Sequence, residues 1–105
     1  MISMVYDKYD VLLSPLAYDD LDDIYNGVLQ ASKDIDTAKE YINSLKETIL
    51  NLEDNPQIHP IRKYGIFANK GYRYTDFKKY SIIFKILDDT KEVLVITICL
   101  TSSDV

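Results

Sequence analysis

Two stretches near the end of the chain alternate apolar and mixed positions with period two. In the first, Tyr80, Ile82, Phe84 and Ile86 alternate with Ser81, Ile83, Lys85 and Leu87. In the second, Leu94, Ile96, Ile98 and Leu100 alternate with Val93, Val95, Thr97 and Cys99. Period two is the mark of a β-strand, and a partly apolar second face marks a strand that is not fully solvated on either side. Tyr72 to Phe77 reads as a third strand, and Lys78-Lys79 and Asp88-Asp89-Thr90-Lys91 as the turns between them. This half of the chain therefore reads as an antiparallel meander.

The first half has a different period. Tyr9 to Leu13 is a short β-prone run, and Ser14-Pro15 then has the form of a helix start. A serine can cap free amides, and proline at the first helical position gives up no needed bond. Leu16, Leu21, Ile24, Tyr25, Val28 and Leu29 follow at helical spacing. Asp19, Asp20, Asp22 and Asp23 lie near the positive end of that helix, so they read as a solvated, dipole-matched surface. A second helix is expected over Thr37 to Glu53. Thr37 and Glu40 have capping-box spacing, and Ala38, Ile42, Leu45, Ile49 and Leu52 form one stripe. The short linker at residues 32–36 implies an antiparallel helical hairpin, which Asn55-Pro56 ends. Residues 54–71 read as an irregular connection in which Tyr64 to Phe67 adds a short strand.

The expectation is one α+β domain spanning residues 1–105: a strand, a helical hairpin, then a three-stranded antiparallel meander, with the helices on one face of the sheet. A chain of 105 residues is enough for one core. No apolar run approaches membrane-spanning length, and residues 1–7 show no signal sequence, so a cytoplasmic protein is expected. Cys99 is the one cysteine, reading as a buried thiol.

Charge divides the chain. Residues 1–55 carry 4 lysines and 12 acids, and residues 56–105 carry 8 basic residues and 5 acids, for a net charge of −5. The overall balance opposes strong nonspecific nucleic-acid binding, while the second half leaves room for a local anionic site. Phosphate loops, dinucleotide turns and paired metal-ligand motifs are absent, and no cofactor or metal is implied. The single histidine, His59, reads as a surface loop residue.

The densest chemistry is Lys70-Gly71-Tyr72-Arg73-Tyr74 with Lys78-Lys79-Tyr80. Arginine offers a planar fork for carboxylate or phosphate, and tyrosines stack on bases or on protein. For Arg73 two readings stand. As an exposed site residue it would be sensitive for function and nearly neutral for stability. As a scaffold residue it would pair with an acid such as Asp76 or Asp23.

At these residues the sequence resembles the RelE/ParE superfamily of small bacterial toxins. Tyr9 to Ala17 resembles the family's strand and Ser-Pro-x-Ala start, and Asp20-Leu21-Asp22-Asp23-Ile24 its Asp-Leu-x-x-Ile helix. Ala38 to Ile42 and Asn55-Pro56 continue the match. Gly71-Tyr72-Arg73 looks like its Gly-Tyr-Arg, Tyr80 to Ile86 like its Tyr-x-Ile-x-Phe/Tyr strand, and Val93 to Leu100 with Ser103-Asp104-Val105 like the end of ParE-type members.

The resemblance implies the toxin of a type II toxin–antitoxin pair. RelE-like members cut mRNA on the ribosome, whereas ParE-like members inhibit DNA gyrase. This sequence departs from the RelE catalytic pattern: Ser81 stands where an arginine is expected, and Leu100-Thr101-Ser102-Ser103 brings no Arg, His or Tyr. Ser103 also occupies about the place where ParE-type members often carry an arginine. In-line RNA cleavage needs a base, an acid and cations. Arg73, Lys78 and Lys79 would serve as cations, but only His59 or a tyrosine would serve as acid or base.

The resemblance therefore favours a ParE-like toxin that binds a protein target such as gyrase and is neutralised by an antitoxin. The alternatives are a RelE-like ribosome-dependent mRNA endonuclease, or a decayed toxin that only binds antitoxin. Arg73, Tyr72, Lys78, Lys79 and Tyr80 are the candidates for target binding. Ile83, Leu87, Val93 and Val95, read as one apolar outer face of the sheet, are the candidates for antitoxin binding.

Overall fold

Ser14 fixes where the first helix begins and where it docks. In the computed structural model, which describes residues 8–102, its hydroxyl accepts the Ala17 amide at 3.1 Å and donates to the Ile96 carbonyl at 2.6 Å. Its own amide donates to the Val95 carbonyl at 2.9 Å. The residue thus caps helix α1 (Pro15–Ser32) and pins its start to strand β4 (Glu92–Leu100). Lys33, at φ 55°, closes the helix in the left-handed conformation.

Helix α2 (Ile35–Leu50) is capped three residues earlier than its capping box implies. Asp34 is the cap: its carboxylate accepts the Asp36 amide at 3.0 Å and the Thr37 hydroxyl at 2.9 Å. An aspartate with an amide two residues on competes well with a threonine for this role. One-turn 3-10 helices at Asn51–Glu53 and Pro56–Ile58 follow.

Strands β1 (Asp10–Leu13), β2 (Arg73–Phe77), β3 (Tyr80–Leu87) and β4 form one sheet in the order β1-β4-β3-β2. The last three make the expected meander. β1 joins it in parallel, with Val11 opposite Val93, so the sheet is mixed and four-stranded. The helical hairpin is the crossover that a parallel neighbour requires.

The core lies between the hairpin and one face of the sheet. Ala17, Leu21 and Ile24 of α1 and Ile42, Leu45 and Ile49 of α2 cover Ile82, Phe84, Val93, Val95 and Ile98. No described helix is long and apolar enough to cross a membrane.

The pairing corrects the outer-face assignment. Val93 pairs with Ile86 and Val95 with Phe84, so both valines face the helices and are fully buried. Ile83 and Leu87 point to the other side of the sheet. Ile83 is itself fully buried, and Leu87 is half-buried. The four residues do not form one exposed face. A register shift at Ile83/Phe84 sets Thr97 opposite Ile83 and Ile98 opposite Ile82, so a fixed alternation along β4 fails there.

The connection before β2 explains the burial of Ile83. Residues 64–71 form turns, not the expected strand, because Gly65, Asn69 and Gly71 all have positive φ. The Arg62 amide donates to the Tyr72 carbonyl at 2.7 Å, and the Tyr74 amide to the Pro60 carbonyl at 3.1 Å. Arg62 is fully buried, with its guanidinium 4.2 Å from the Tyr64 ring centre and 5.6 Å from that of Tyr74, which pairs with Ile83.

Candidate functional site: a basic and aromatic hairpin

The β2–β3 turn carries two lysines on two residues. Lys78 adopts φ 52°, a left-handed conformation that only the closed hairpin holds. Its ammonium lies 5.6 Å from the Phe77 ring and 5.8 Å from the Tyr41 ring of α2, and those two rings meet edge to face at 5.5 Å. The Lys79 ammonium lies 5.7 Å from the Tyr80 ring. Neither lysine forms an ion pair with a described carboxylate. Both charges are therefore held over aromatic faces and open to an anionic partner.

Tyr80 and Tyr41 face each other across the same end of the molecule. Burial pushes the Tyr41 hydroxyl above its ordinary range, and the neighbouring Tyr80 adds to the shift. Beside them runs a cleft of about 390 Å³ between α1 and the hairpin. A second cleft of about 290 Å³ continues from Lys79 and Tyr80 toward Asp20, Asp23 and Leu100.

The five target-binding candidates do not form one cluster. Lys78, Lys79 and Tyr80 share the hairpin, whereas Tyr72 and Arg73 lie at the far end of β2. At about 3.3 Å per residue, the four steps from Arg73 to Phe77 separate the groups by about 13 Å. Tyr72 meets Phe67 edge to face at 5.0 Å, with the Lys85 ammonium 5.5 Å from its ring.

Arg73 is half-buried. Its Nη1 donates to the His59 carbonyl at 2.7 Å and the Gln57 carbonyl at 3.2 Å. Neither Asp76 nor Asp23 takes it. The guanidinium ties the loop after α2 to the edge of the sheet. His59 belongs to the same group: its ring meets Phe84 edge to face at 5.7 Å, and burial first, then the Arg73 charge, lowers its pKa.

Ser81, at the position that departs from the RelE pattern, is fully buried. Its hydroxyl donates to Asp76 at 2.7 Å and lies 3.2 Å from the Thr101 hydroxyl. It is a link between β2, β3 and the segment after β4, with no access to a substrate. Ser103, the other departure, lies outside the described residues.

The aspartate group on α1 is not uniformly solvated. Asp20 turns inward and accepts from Thr97 and Ile98 of β4. Among the described residues, no three His, Cys, Asp or Glu side chains cluster as metal ligands. Cys99 is half-buried beside the second cleft; burial raises its pKa, Arg62 works against the rise and Asp20 adds to it. Sequence reasoning missed Tyr41, because a tyrosine on a helix stripe looks like core. It also missed Arg62, which has no periodic neighbours to mark it as buried.

Comparisons with known proteins agree with this architecture. The structure is similar to the chromosomal ParDE TA system from P. aeruginosa, with a TM-score of 0.74 and 18% identity over 90% of this chain and 97% of that one. It is also similar to the toxin-antitoxin complex RelBE2 from Mycobacterium tuberculosis, with a TM-score of 0.66 and 16% identity over 96% of this chain and 98% of that one. At such identities the likeness shows the fold. No curated protein sequence matches the chain. The family model described as the ParE toxin of the type II toxin-antitoxin system, parDE, matches residues 11–104. With nearly the whole chain covered by that model, the protein belongs to the ParE toxin family of type II toxin–antitoxin systems.

Proposed function

We propose that this toxin arrests growth by binding a protein target in the cytoplasm, DNA gyrase, and that a cognate antitoxin neutralises it. The observation that carries the reading is the separation of its chemical groups. The one histidine sits with Arg73 at one end of β2, and Lys78 and Lys79 sit at the other, about 13 Å away at strand spacing, with only Tyr41 and Tyr80 beside them, and burial keeps the Tyr41 hydroxyl protonated. Cleavage of RNA by in-line attack needs its acid, base and cations around one phosphate. Binding to a protein surface has no such requirement, and aromatic rings carrying unneutralised cations suit it well.

A supercoiling assay with purified gyrase tests the target. Inhibition at micromolar toxin is expected, reduced when Lys78 and Lys79 are both replaced by glutamate. A folded sample that leaves supercoiling untouched, with codon-phased cuts in translated mRNA by primer extension, would replace this reading with ribosome-dependent RNA cleavage.

A further inference from the structure

The sheet ends in two unlike edges. At β2 the edge is covered: the Arg62 amide bonds the Tyr72 carbonyl and the Tyr74 amide bonds the Pro60 carbonyl. At β1 it is open. The Asp10 amide donates to the Lys91 carbonyl and the Ser14 amide to the Val95 carbonyl, so the even-numbered residues of this strand turn their backbone groups toward β4. Val11 and Leu13 therefore turn theirs outward, and no hydrogen bond among the described residues uses them. An unpaired edge is a template for another strand, and proteins blunt it with proline, lysine or a bulge. Residues 10–13 are short but have none of these.

Aliphatic side chains flank this edge on both faces of the sheet. Val11 and Leu13 pack toward the helices, so Leu12 points to the opposite face, where it is 42% exposed. On the helix side, Leu16 is 53% and Leu50 57% exposed. Leu50 and Leu13 share a shallow apolar cleft of about 180 Å³. The end of α2 lies beside the start of β1, because the Tyr9 amide donates to the Glu53 carbonyl. That contact closes the edge ahead of Asp10, and the turn into α1 closes it after Ser14.

We propose that a second copy of this chain pairs here, β1 against β1 and antiparallel, about a two-fold axis through Leu12. The open backbone groups select that register. Centred on Leu12, Val11 lies opposite the partner's Leu13 and Leu13 opposite the partner's Val11, and each pair exchanges both of its bonds. Centred on Val11, Leu13 would meet the partner's Tyr9, whose amide Glu53 already holds. The Leu12 register also packs Leu12 on the partner's Leu12 across the outer face, and carries Leu16 toward the partner's Leu50 at the end of α2. Because β2 lies at the far edge of the sheet, both Lys78–Lys79 hairpins stay open in the dimer. The paired segment is smaller than a standard interface, so the association is expected in the micromolar range. The inference goes beyond the toxin reading and depends on neither its target nor its antitoxin.

The test uses the full chain alone. Sedimentation over a micromolar-to-millimolar series is expected to show monomer passing to dimer. Leu12→Lys sets two like charges at the axis and is expected to weaken the dimer at least tenfold. In a Cys99→Ser background, Leu12→Cys is expected to give a covalent dimer on mild oxidation, because residues opposed in this way bring their Cα atoms to about 4.5 Å. Ile58→Cys, exposed but far from the edge proposed, is expected to remain uncrosslinked. Leu12→Cys keeps an apolar side chain at the position and carries the test if Leu12→Lys does not fold. A chain that stays monomeric throughout, with no crosslink from Leu12→Cys, would overturn the proposal. So would a dimer whose affinity Leu12→Lys leaves within twofold, which would place the contact on another surface. Amides of β1 shielded from hydrogen exchange only when antitoxin is added would also overturn it, and would assign the edge to that partner.

Discussion

The carboxylate of Asp20 on α1 accepts two hydrogen bonds from β4, the Thr97 hydroxyl at 2.5 Å and the Ile98 amide at 2.9 Å. Both donors are buried, Thr97 at 7% exposure and Ile98 at 4%. They lie just past the register shift in the β3–β4 pairing. With Ser14 bonding Val95 and Ile96 a few residues earlier, the first turns of α1 hold the irregular part of β4 from the side.

Removing that acceptor should be costly. Asp20→Ala leaves a buried hydroxyl and a buried amide without it, and is expected to destabilise by about 2–3 kcal/mol. Asp20→Asn keeps an acceptor oxygen and should lose about half as much. Asp19→Ala, on the exposed side of the same group, should stay within about 0.5 kcal/mol. Urea unfolding of the three variants checks the order.

Arg73 presents a different balance. Its two bonds to loop carbonyls make it part of the scaffold, so Arg73→Ala is expected to cost about 1.5–3 kcal/mol, the range for hydrogen bonds that involve a charged group. A near-neutral change would fit only an exposed side chain. Arg73→Lys retains a charge but not the fork, and should recover part of the loss. Thermal unfolding measured beside growth arrest separates the roles. Loss of arrest in step with melting temperature marks scaffold, and loss of arrest in a variant of full stability marks contact with the target.

Much of the fold was legible because local chemistry and global packing agree. Ser14-Pro15 announced α1, the Ala38–Ile49 stripe announced α2, and period two announced β3 within its observed bounds. What stayed hidden has physical causes. The parallel pairing of β1 depends on a crossover, and a four-residue strand carries no periodic trace of its partner. The face of Val93 and Val95 depends on a register shift that no single strand encodes. The layer over Ile83 comes from a turn-rich segment with no period, so Arg62 looked like any surface arginine. The candidate site was legible in residue type and not in arrangement: the pattern singled out Lys78, Lys79 and Tyr80 as candidates, but not Tyr41 opposite them, nor the distance to Arg73.

Arg62 should prove more sensitive for stability than Arg73. It is fully buried, and its guanidinium stacks on Tyr64 on the side of the sheet away from the helices. Arg62→Ala removes that stack and a large buried volume, with an expected loss of about 2–4 kcal/mol. Arg62→Lys should recover little, because an ammonium does not reproduce a planar stack between Tyr64 and Tyr74. Denaturant midpoints of the two variants, read against Arg73→Ala, test the ranking. Arg62→Lys with wild-type stability would show that the charge alone matters.

His59 supplies a test by pH. Burial against Phe84 and the Arg73 charge lower its pKa below the ordinary 6.5. The folded state therefore binds this proton less readily than the unfolded chain does. Stability rises with pH wherever the unfolded state holds more protons. The contribution of a neutral His59 is thus complete above pH 6.5, and it falls away as pH drops from there through the lowered folded value. Melting temperatures of the native chain and of His59→Gln, taken at pH 7.5 and pH 5, isolate the effect. The native chain should lose more on acidification than His59→Gln, because glutamine has no proton to gain. Equal losses would show that the ring carries no titration penalty, and a smaller loss in the native chain would reverse the sign argued from its burial and from Arg73.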